Sequence, residues 1–221
     1  SLRLRLLAAT LVTLLVALAG SHLLLSSLFR EHVLGQFDAT LVQQLDQLAA
    51  RLEPDAQGQP RIDPRTLSDP RWEKPYSGLY WQVDRLAGDG SARVAVLRSR
   101  SLWDTQLALR DDTLVDGVLH THQHAGPRGE TLRVVERALR FADAPQARWR
   151  VAVAADTAAV AAAVAQFNGV LAWSLAALGL LLALAALAQV GVGLSPLTHL
   201  QRALQRVRAG QAQRLEGEFP A

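Results

Sequence analysis

The sequence contains no cysteine, which excludes structural disulfides and zinc sites built on cysteine. It also contains no methionine and begins with Ser1, so we expect that the native start lies upstream. Charged residues are only 19% of the chain while hydrophobic residues are 50%, which excludes an intrinsically disordered protein. The chain is therefore expected to fold by packing, or by pairing with a second copy.

The positive net charge does not indicate a nucleic-acid-binding protein. The formal charge is +3, but the excess of basic residues lies at the two ends of the chain, beside long apolar runs. These residues are Arg3 and Arg5 before the first run and Arg202, Arg206, Arg208 and Arg214 after the second. They form no patch with interleaved aromatic residues, so we expect no nucleic-acid partner.

Two apolar runs predict two transmembrane helices, at residues 6–29 and 167–193. Each is long enough to cross a hydrocarbon core of about 30 Å, which takes about 20 helical residues. The first run is too long for a cleaved signal peptide, and the small residues Ala19-Gly20-Ser21, which resemble a cleavage site, are soon followed by three leucines at 23–25. Small residues four apart, such as Gly179 and Ala183, permit close approach of helices in the second run.

The arginines at both ends predict the orientation. Lys and Arg beside a span stay in the cytoplasm, so residues 1–5 and residues 194–221 are expected there. Residues 30–166 are then expected in the periplasm of a bacterial cell. The chain is predicted to be a multi-pass protein of the bacterial inner membrane with both termini cytoplasmic.

The region between the runs is expected to form one α+β domain. An apolar stripe from Val33 to Leu52, at steps of three and four, predicts a helix that continues the first span and ends at Pro54. Five segments with strand character follow, at 78–84, 93–99, 114–124, 130–141 and 148–156, with a hairpin turn at 88–90. Asp156 or Thr157 is expected to cap a final helix that runs into the second span.

Alternation within these strands predicts which residues share a face. Leu79, Trp81 and Val83 alternate with Tyr80, Gln82 and Asp84, and Trp149, Val151 and Val153 alternate with Arg148 and Arg150. This pattern predicts a helix packed on one face of a mainly antiparallel sheet. The order of elements resembles the PAS-like periplasmic sensor domains of bacterial receptors.

The segment after the second run has the residue pattern of a coiled coil. Ser195 can cap a helix and Pro196 suits its first position. Leu197, Leu200, Leu204 and Val207 follow at steps of three, four and three, which is the spacing of a coiled-coil seam. Gly210 ends the helix, and a polar connector follows.

This segment resembles the first half of a HAMP linker, and the chain as a whole resembles the N-terminal portion of a bacterial two-component sensor histidine kinase. The motifs that carry the resemblance are LQRALQRVRAGQAQRLEGEFPA after the second run and PYSGLYWQV and LRSRSLWD before it.

The resemblance implies a homodimer that signals across the membrane to a response regulator. ATP and Mg²⁺ would be cofactors of a kinase core, but the chain has no Gly-rich ATP-binding box and no phosphoacceptor helix, so it is expected to hold no cofactor itself. Pro196 and the four seam residues are predicted to transmit the signal. The alternatives are a membrane-anchored binding receptor without enzymatic output, or the front end of a chemoreceptor or cyclase.

Three sets of residues are candidates for the stimulus, which the sequence does not identify. His120, His122 and His124 alternate, so one strand face can present three imidazoles to a metal or respond to acidity, or else be a polar strand end. Asp111, Asp112 and Asp116 can bind a divalent cation or a cationic peptide, or else form a solvated loop. The third candidate is a small-molecule pocket that aromatic residues form beside Arg98 and Arg100. The aromatic residues are Trp72, Tyr76, Tyr80, Trp81 and Trp103. The alternative is that they belong to the core.

Overall fold

The computed structural model describes residues 2–86, 92–109, 114–142 and 144–193. Two compact units are present. One holds Leu28–Gln166 and is called the sheet unit here. The other holds the residues up to Ser27 and from Phe167 onward, and is called the helix-pair unit. The predicted hairpin turn at 88–90 and the HAMP-like segment lie outside the described residues.

The secondary structure follows the chain order that the periodicity predicts. Helix α1 is Leu2–Ala50, and the short strands β1 (Glu53–Pro54) and β2 (Pro60–Arg61) pair after it. Five longer strands follow: β3 (Leu79–Leu86), β4 (Ala92–Arg98), β5 (Leu119–Ala125), β6 (Thr131–Phe141) and β7 (Ala144–Asp156). Helix α2 is Ala158–Gly193, and the Asp156 carboxylate accepts the Ala158 N–H at 2.8 Å at its start.

The five long strands form one antiparallel sheet in the order β4-β3-β7-β6-β5. The α+β fold with an antiparallel sheet and two long apolar helices is therefore confirmed. Two strand boundaries were predicted wrongly: β7 begins at Ala144 and not at residue 148, and β5 begins at Leu119 and not at residue 114. The Val118 N–H bonds back to Val115, and Gly117 has a φ of +78°, so the chain turns there before the strand starts.

One face of the sheet packs against α1. Leu41, Leu45 and Leu48 of the helix are at most 2% exposed and belong to one core cluster with the sheet residues of that face. Those sheet residues are Leu79, Trp81, Val83, Val135, Trp149, Val151 and Val153. The alternation predicted from the sequence is therefore correct for this face, and full burial of these side chains is the main stabilising term of the unit.

The other face of the sheet is covered by the chain after β4, which the sequence left as a loop. Leu102 and Leu107 lie on Tyr80, Leu132 and neighbouring alanines in a second buried cluster. The sheet is therefore buried on both faces. This explains why every side chain from Leu79 to Asp84 is buried, although Gln82 and Asp84 are polar.

The helix-pair unit exposes its apolar surface. Helices α1 and α2 are each long and apolar enough to cross a membrane, and no residue of their most apolar stretches is buried. Trp173 and Leu23 are 80% and 70% exposed. A Cβ atom added at Gly179 would lie 2.8 Å from Cδ1 of Leu18, so a small residue is required where the helices approach each other.

Candidate functional site

A cavity of about 390 Å³ in the sheet unit brings the predicted pocket residues together. We call it the tryptophan–arginine cavity. Its lining combines three indole rings, two guanidinium groups and several aliphatic side chains. The residues are Ile62, Pro64, Leu67, Trp72, Glu73, Trp81, Leu97, Arg98, Ser99, Arg100 and Trp103. All four residues predicted for a ligand, Trp81, Arg98, Arg100 and Trp103, are among them, and ligand binding itself stays a prediction.

Two buried serines fix the arginine side of this cavity. The Ser99 hydroxyl accepts a hydrogen bond from the backbone N–H of Trp81 at 3.1 Å, and the Ser101 hydroxyl donates one to the Leu79 carbonyl at 2.6 Å. The two hydroxyls lie 2.8 Å apart. The 3₁₀ turn Arg100–Leu102 is thereby attached to the beginning of β3, which fixes the position of the residues on this turn.

The two tyrosines of the predicted aromatic set lie at a different cavity. Tyr76 and Tyr80 line a space of about 300 Å³ that Glu130 and Arg128 also border. The Tyr80 hydroxyl donates to Glu130 at 2.9 Å, and burial of Tyr80 together with this bond raises the pKa of its phenol to about 12. The bond from the Tyr76 hydroxyl to Asp104, at 2.5 Å, raises the pKa of that phenol.

A cluster of ionised and polar residues is buried on the second face of the sheet. The buried ion cluster consists of Gln82, Asp84, Glu136 and Arg150, each at most 2% exposed. Arg150 donates to Asp84 Oδ2 from both Nε, at 3.0 Å, and Nη2, at 2.7 Å. Nε of Arg150 is 3.9 Å from Glu136 Oε2. The charges of Asp84 and Arg150 persist at this depth because the two groups are paired and hydrogen-bonded to each other.

The remaining oxygen of Asp84 is also satisfied. Its Oδ1 accepts from Gln82 Nε2 at 2.9 Å and from the Ala95 N–H at 2.7 Å. Ala95 has a φ of 53°, close to a register shift between β3 and β4, and its N–H is turned toward Asp84 there. Gln82 in turn exchanges two hydrogen bonds with the backbone of Leu107, which ties the covering segment to the cluster.

The three alternating histidines lie on the face of β5 that borders this cluster. His120 and His122 lie opposite Glu136 and Val134 of β6, and His122 Nδ1 is 3.7 Å from Glu136 Oε1. This spacing permits an ion pair when His122 carries a proton. Among the residues that the structure describes, no three histidine, aspartate or glutamate side chains are placed to hold a metal ion. Metal binding by the three histidines and a response to acidity both stay predictions.

Asp116 forms ion pairs with two arginines. Nε of Arg140 lies 2.6 Å from Asp116 Oδ2, and Nε of Arg148 lies 2.5 Å from Oδ1. These bonds, the one from Arg140 first, lower the pKa of the Asp116 carboxyl below its usual range. Asp116 thus joins the chain before β5 to β6 and β7, while Asp111 and Asp112 lie outside the described residues.

Two features were missed by sequence reasoning. The buried ion cluster carried no recognisable signal, because alternation alone predicts that Gln82, Asp84 and Arg150 face water. A polar cavity of about 380 Å³ between α1 and the 3₁₀ turn Pro70–Trp72 was also missed. Its polar lining includes Thr40, Gln43, Gln44, Gln47, Ser68 and Asp69, and the stripe of leucines on α1 predicted only the apolar side of that helix.

The residues predicted to transmit a signal, Pro196, Leu197, Leu200, Leu204 and Val207, lie outside the described residues. This segment is where comparison with known proteins gives a result. Residues 194–221 match the model of the HAMP domain of PhoQ-like sensor proteins. No curated protein and no solved structure matches the chain.

The match confirms the predicted resemblance to the N-terminal sensor and HAMP portion of a sensor histidine kinase. A PhoQ-like HAMP domain indicates the signal-relay region of a sensor kinase, and two apolar helices precede it in the chain.

Proposed function

We propose that this chain senses a stimulus outside the bacterial inner membrane and relays it through two transmembrane helices to a histidine kinase core. The output is phosphotransfer to a response regulator, with ATP and Mg²⁺ used by the kinase core. The single observation that carries this proposal is a PhoQ-like HAMP segment directly after an apolar helix long enough to span a bilayer. In this arrangement the sheet unit is the PAS-like periplasmic sensor domain.

The charge distribution supports the orientation. Arg3 and Arg5 precede the apolar part of α1, and four arginines follow α2. Because basic residues beside a span stay on the cytoplasmic side, both termini are cytoplasmic and the sheet unit is periplasmic. The exposed aliphatic side chains of α1 and α2 then face lipid, and Trp173 lies near the periplasmic end of its span.

The relay requires two copies of the chain. The seam formed by Leu197, Leu200, Leu204 and Val207 buries its apolar face only against another helix, so a second copy completes the HAMP bundle. Pro196 starts this helix directly after the span. A stimulus that favours one of two packings of the sheet units shifts the dimer, and the HAMP bundle repacks in response.

Orientation is tested with reporters in whole cells. Alkaline phosphatase, which is active only in the periplasm, is inserted in the exposed turn between β1 and β2 at Gln57 or fused after Arg214. We expect activity from the insertion at Gln57 and none from the fusion at Arg214. The reverse pattern, or equal activity at both positions, refutes the proposed topology.

Relay is tested by joining the chain to a histidine kinase core whose autophosphorylation can be measured. A charge on the seam, Leu204→Glu, is expected to abolish or lock the response, because a buried carboxylate disrupts coiled-coil packing. Gln205→Glu places the same charge on the outer side of the same helix and is the matched control. If both variants signal like the parent, this segment is not the relay, and an accessory receptor without enzymatic output becomes the better interpretation.

A further inference from the structure

We propose that the tryptophan–arginine cavity binds a small organic anion with a flat apolar body. The proposal deepens the sensing function, on which its biological role rests, but binding itself is a property of the sheet unit. The cavity, of about 390 Å³, lies within the range of small-molecule sites, which run from about 300 to 1,000 Å³. Three of the five tryptophans of the chain line it.

The indole rings select a flat apolar body. Trp72 and Trp81 are 5% and 3% exposed and form a fixed wall, while Trp103 is 52% exposed at the same cavity. A large exposed aromatic ring beside buried ones gains apolar contact when a planar group stacks on it. Leu67 and Ile62 extend the apolar surface on which such a group would rest.

The charges select an anion. Arg98 and Arg100 both line the cavity, and in the described part of the chain no carboxylate lies within 4 Å of either guanidinium. Glu73 is the single acidic residue among those that line the cavity, so the local balance is positive. A guanidinium pairs with a carboxylate through two parallel hydrogen bonds, whereas the two arginines would repel a cation from the aromatic rings.

The backbone holds the charged side of the cavity in a fixed arrangement. Arg98 Nη1 donates to the Thr105 carbonyl at 2.6 Å, which positions its guanidinium, and the buried serines hold the turn that carries Arg100. Trp103 follows at a φ of 55° and a ψ of −108°, a positive-φ conformation that is unfavourable for a bulky residue. Such strain is concentrated at binding sites, where the surrounding structure maintains it.

An unused donor adds to this arrangement. The indole N–H of Trp81 is buried and has no acceptor among the described residues. Buried donors are normally bonded, and an unbonded one in a residue that lines a cavity is a group that a ligand oxygen can satisfy.

The test uses the whole chain in lipid nanodiscs and isothermal titration calorimetry. The probe is indole-3-acetate, which combines a planar ring with one carboxylate. Its neutral analogue indole-3-acetamide and its cationic analogue tryptamine have the same ring. We expect indole-3-acetate to bind and both analogues to bind about tenfold more weakly or not at all, since a charge-assisted hydrogen bond is lost. Tighter binding of tryptamine overturns the assignment of an anion.

Variants connect binding to the cavity. The double change Arg98→Gln and Arg100→Gln is expected to weaken binding of indole-3-acetate about tenfold or more. Arg93→Gln removes the same kind of charge from an exposed position on the same strand and should leave binding unchanged. Trp103→Ala, at an exposed position, should weaken binding while the far-ultraviolet circular dichroism spectrum stays that of the parent.

Two results overturn the proposal: no heat of binding at millimolar indole-3-acetate, or equal binding by the double variant and Arg93→Gln. These failures are distinct from failure of the relay. If the chain joined to a histidine kinase core binds indole-3-acetate but does not signal, the proposed function alone is refuted. If this fusion signals in response to another stimulus and does not bind indole-3-acetate, the proposed site alone is refuted.

Discussion

Replacing Asp84 with asparagine removes one charge from the buried ion cluster and keeps the shape of the side chain. In the parent, Asp84 Oδ2 accepts two bonds from Arg150, and Oδ1 accepts one from Gln82 and one from the Ala95 N–H. The amide oxygen of asparagine can keep the bonds from Gln82 and Ala95. Its NH₂ group then faces the guanidinium of Arg150, so donors meet donors and Arg150 loses its nearest counter-charge.

The expected cost follows from this geometry. Breaking a buried ion pair by removing one partner costs about 3–5 kcal/mol. Glu136, with Oε2 at 3.9 Å from Arg150, still offsets part of the charge, which favours the lower end of that range. We therefore expect Asp84→Asn to lower the free energy of unfolding of the sheet unit by about 3 kcal/mol. For a unit of this size the fall in Tm is about 10 °C.

The assay is thermal unfolding of the chain in detergent micelles, followed by near-ultraviolet circular dichroism, which reports on the buried Trp149 and Trp81. Asp69→Asn is the control, because Asp69 pairs with Arg71 at 2.7 Å on an exposed surface. A surface pair of this kind is worth about 0–1 kcal/mol. Equal losses in the two variants, or a loss below about 1 kcal/mol for Asp84→Asn, would refute the stabilising role of the buried pair.

Three further predictions concern single groups. Because the phenol of Tyr80 has its pKa raised to about 12, the stabilisation from its burial and its bond to Glu130 is present below pH of about 10 and is lost as pH rises toward 12. Absorbance titration at alkaline pH should show this late ionisation, and Glu130→Gln should lower its midpoint. Since the Asp116 carboxyl has a lowered pKa, its contribution to folding stability is present above the ordinary aspartate pKa and is lost as pH falls through the lowered value. Arg140→Gln should move the midpoint of the Asp116 titration, followed by NMR, upward. An unchanged midpoint contradicts the pairing. Gly179→Ala should be tolerated because the group it meets is the flexible end of a leucine, whereas Gly179→Ile should lower the thermal stability of the helix pair in micelles, and equal stability of the two variants would exclude close contact there.

The elements of the fold were predictable because they depend on local periodicity. The steps of three and four from Phe37 to Leu48 encode the part of α1 that packs on the sheet, and alternation encodes the strands. The start of β5 was not predictable, because LVDGVLHTHQH reads as one strand until Gly117 is seen to turn the chain. Tertiary context decided that boundary.

The site was predictable in part. Composition placed tryptophans and arginines in neighbouring segments, and the fold brings Trp81, Arg98, Arg100 and Trp103 to one cavity. The buried ion cluster was not predictable, since Asp84 and Arg150 are 66 positions apart and meet only through the register of β3 with β7. Alternation identifies the apolar face of a strand but does not tell whether another segment covers the polar face.

Solvent-exposed ion pairs connect helix α1 to the sheet. Arg133 donates two hydrogen bonds to Asp38, at 2.8 and 2.7 Å, and Arg137 donates one to Asp46 at 2.8 Å. All four side chains are partly exposed. Dissolved salt weakens such contacts, whereas the Asp84–Arg150 pair is shielded from it by the layers around it. A rise in salt concentration therefore acts selectively on this domain. It weakens the ion pairs between the sheet and helix α1, which continues from the first apolar run, and leaves the buried pair in the sheet intact.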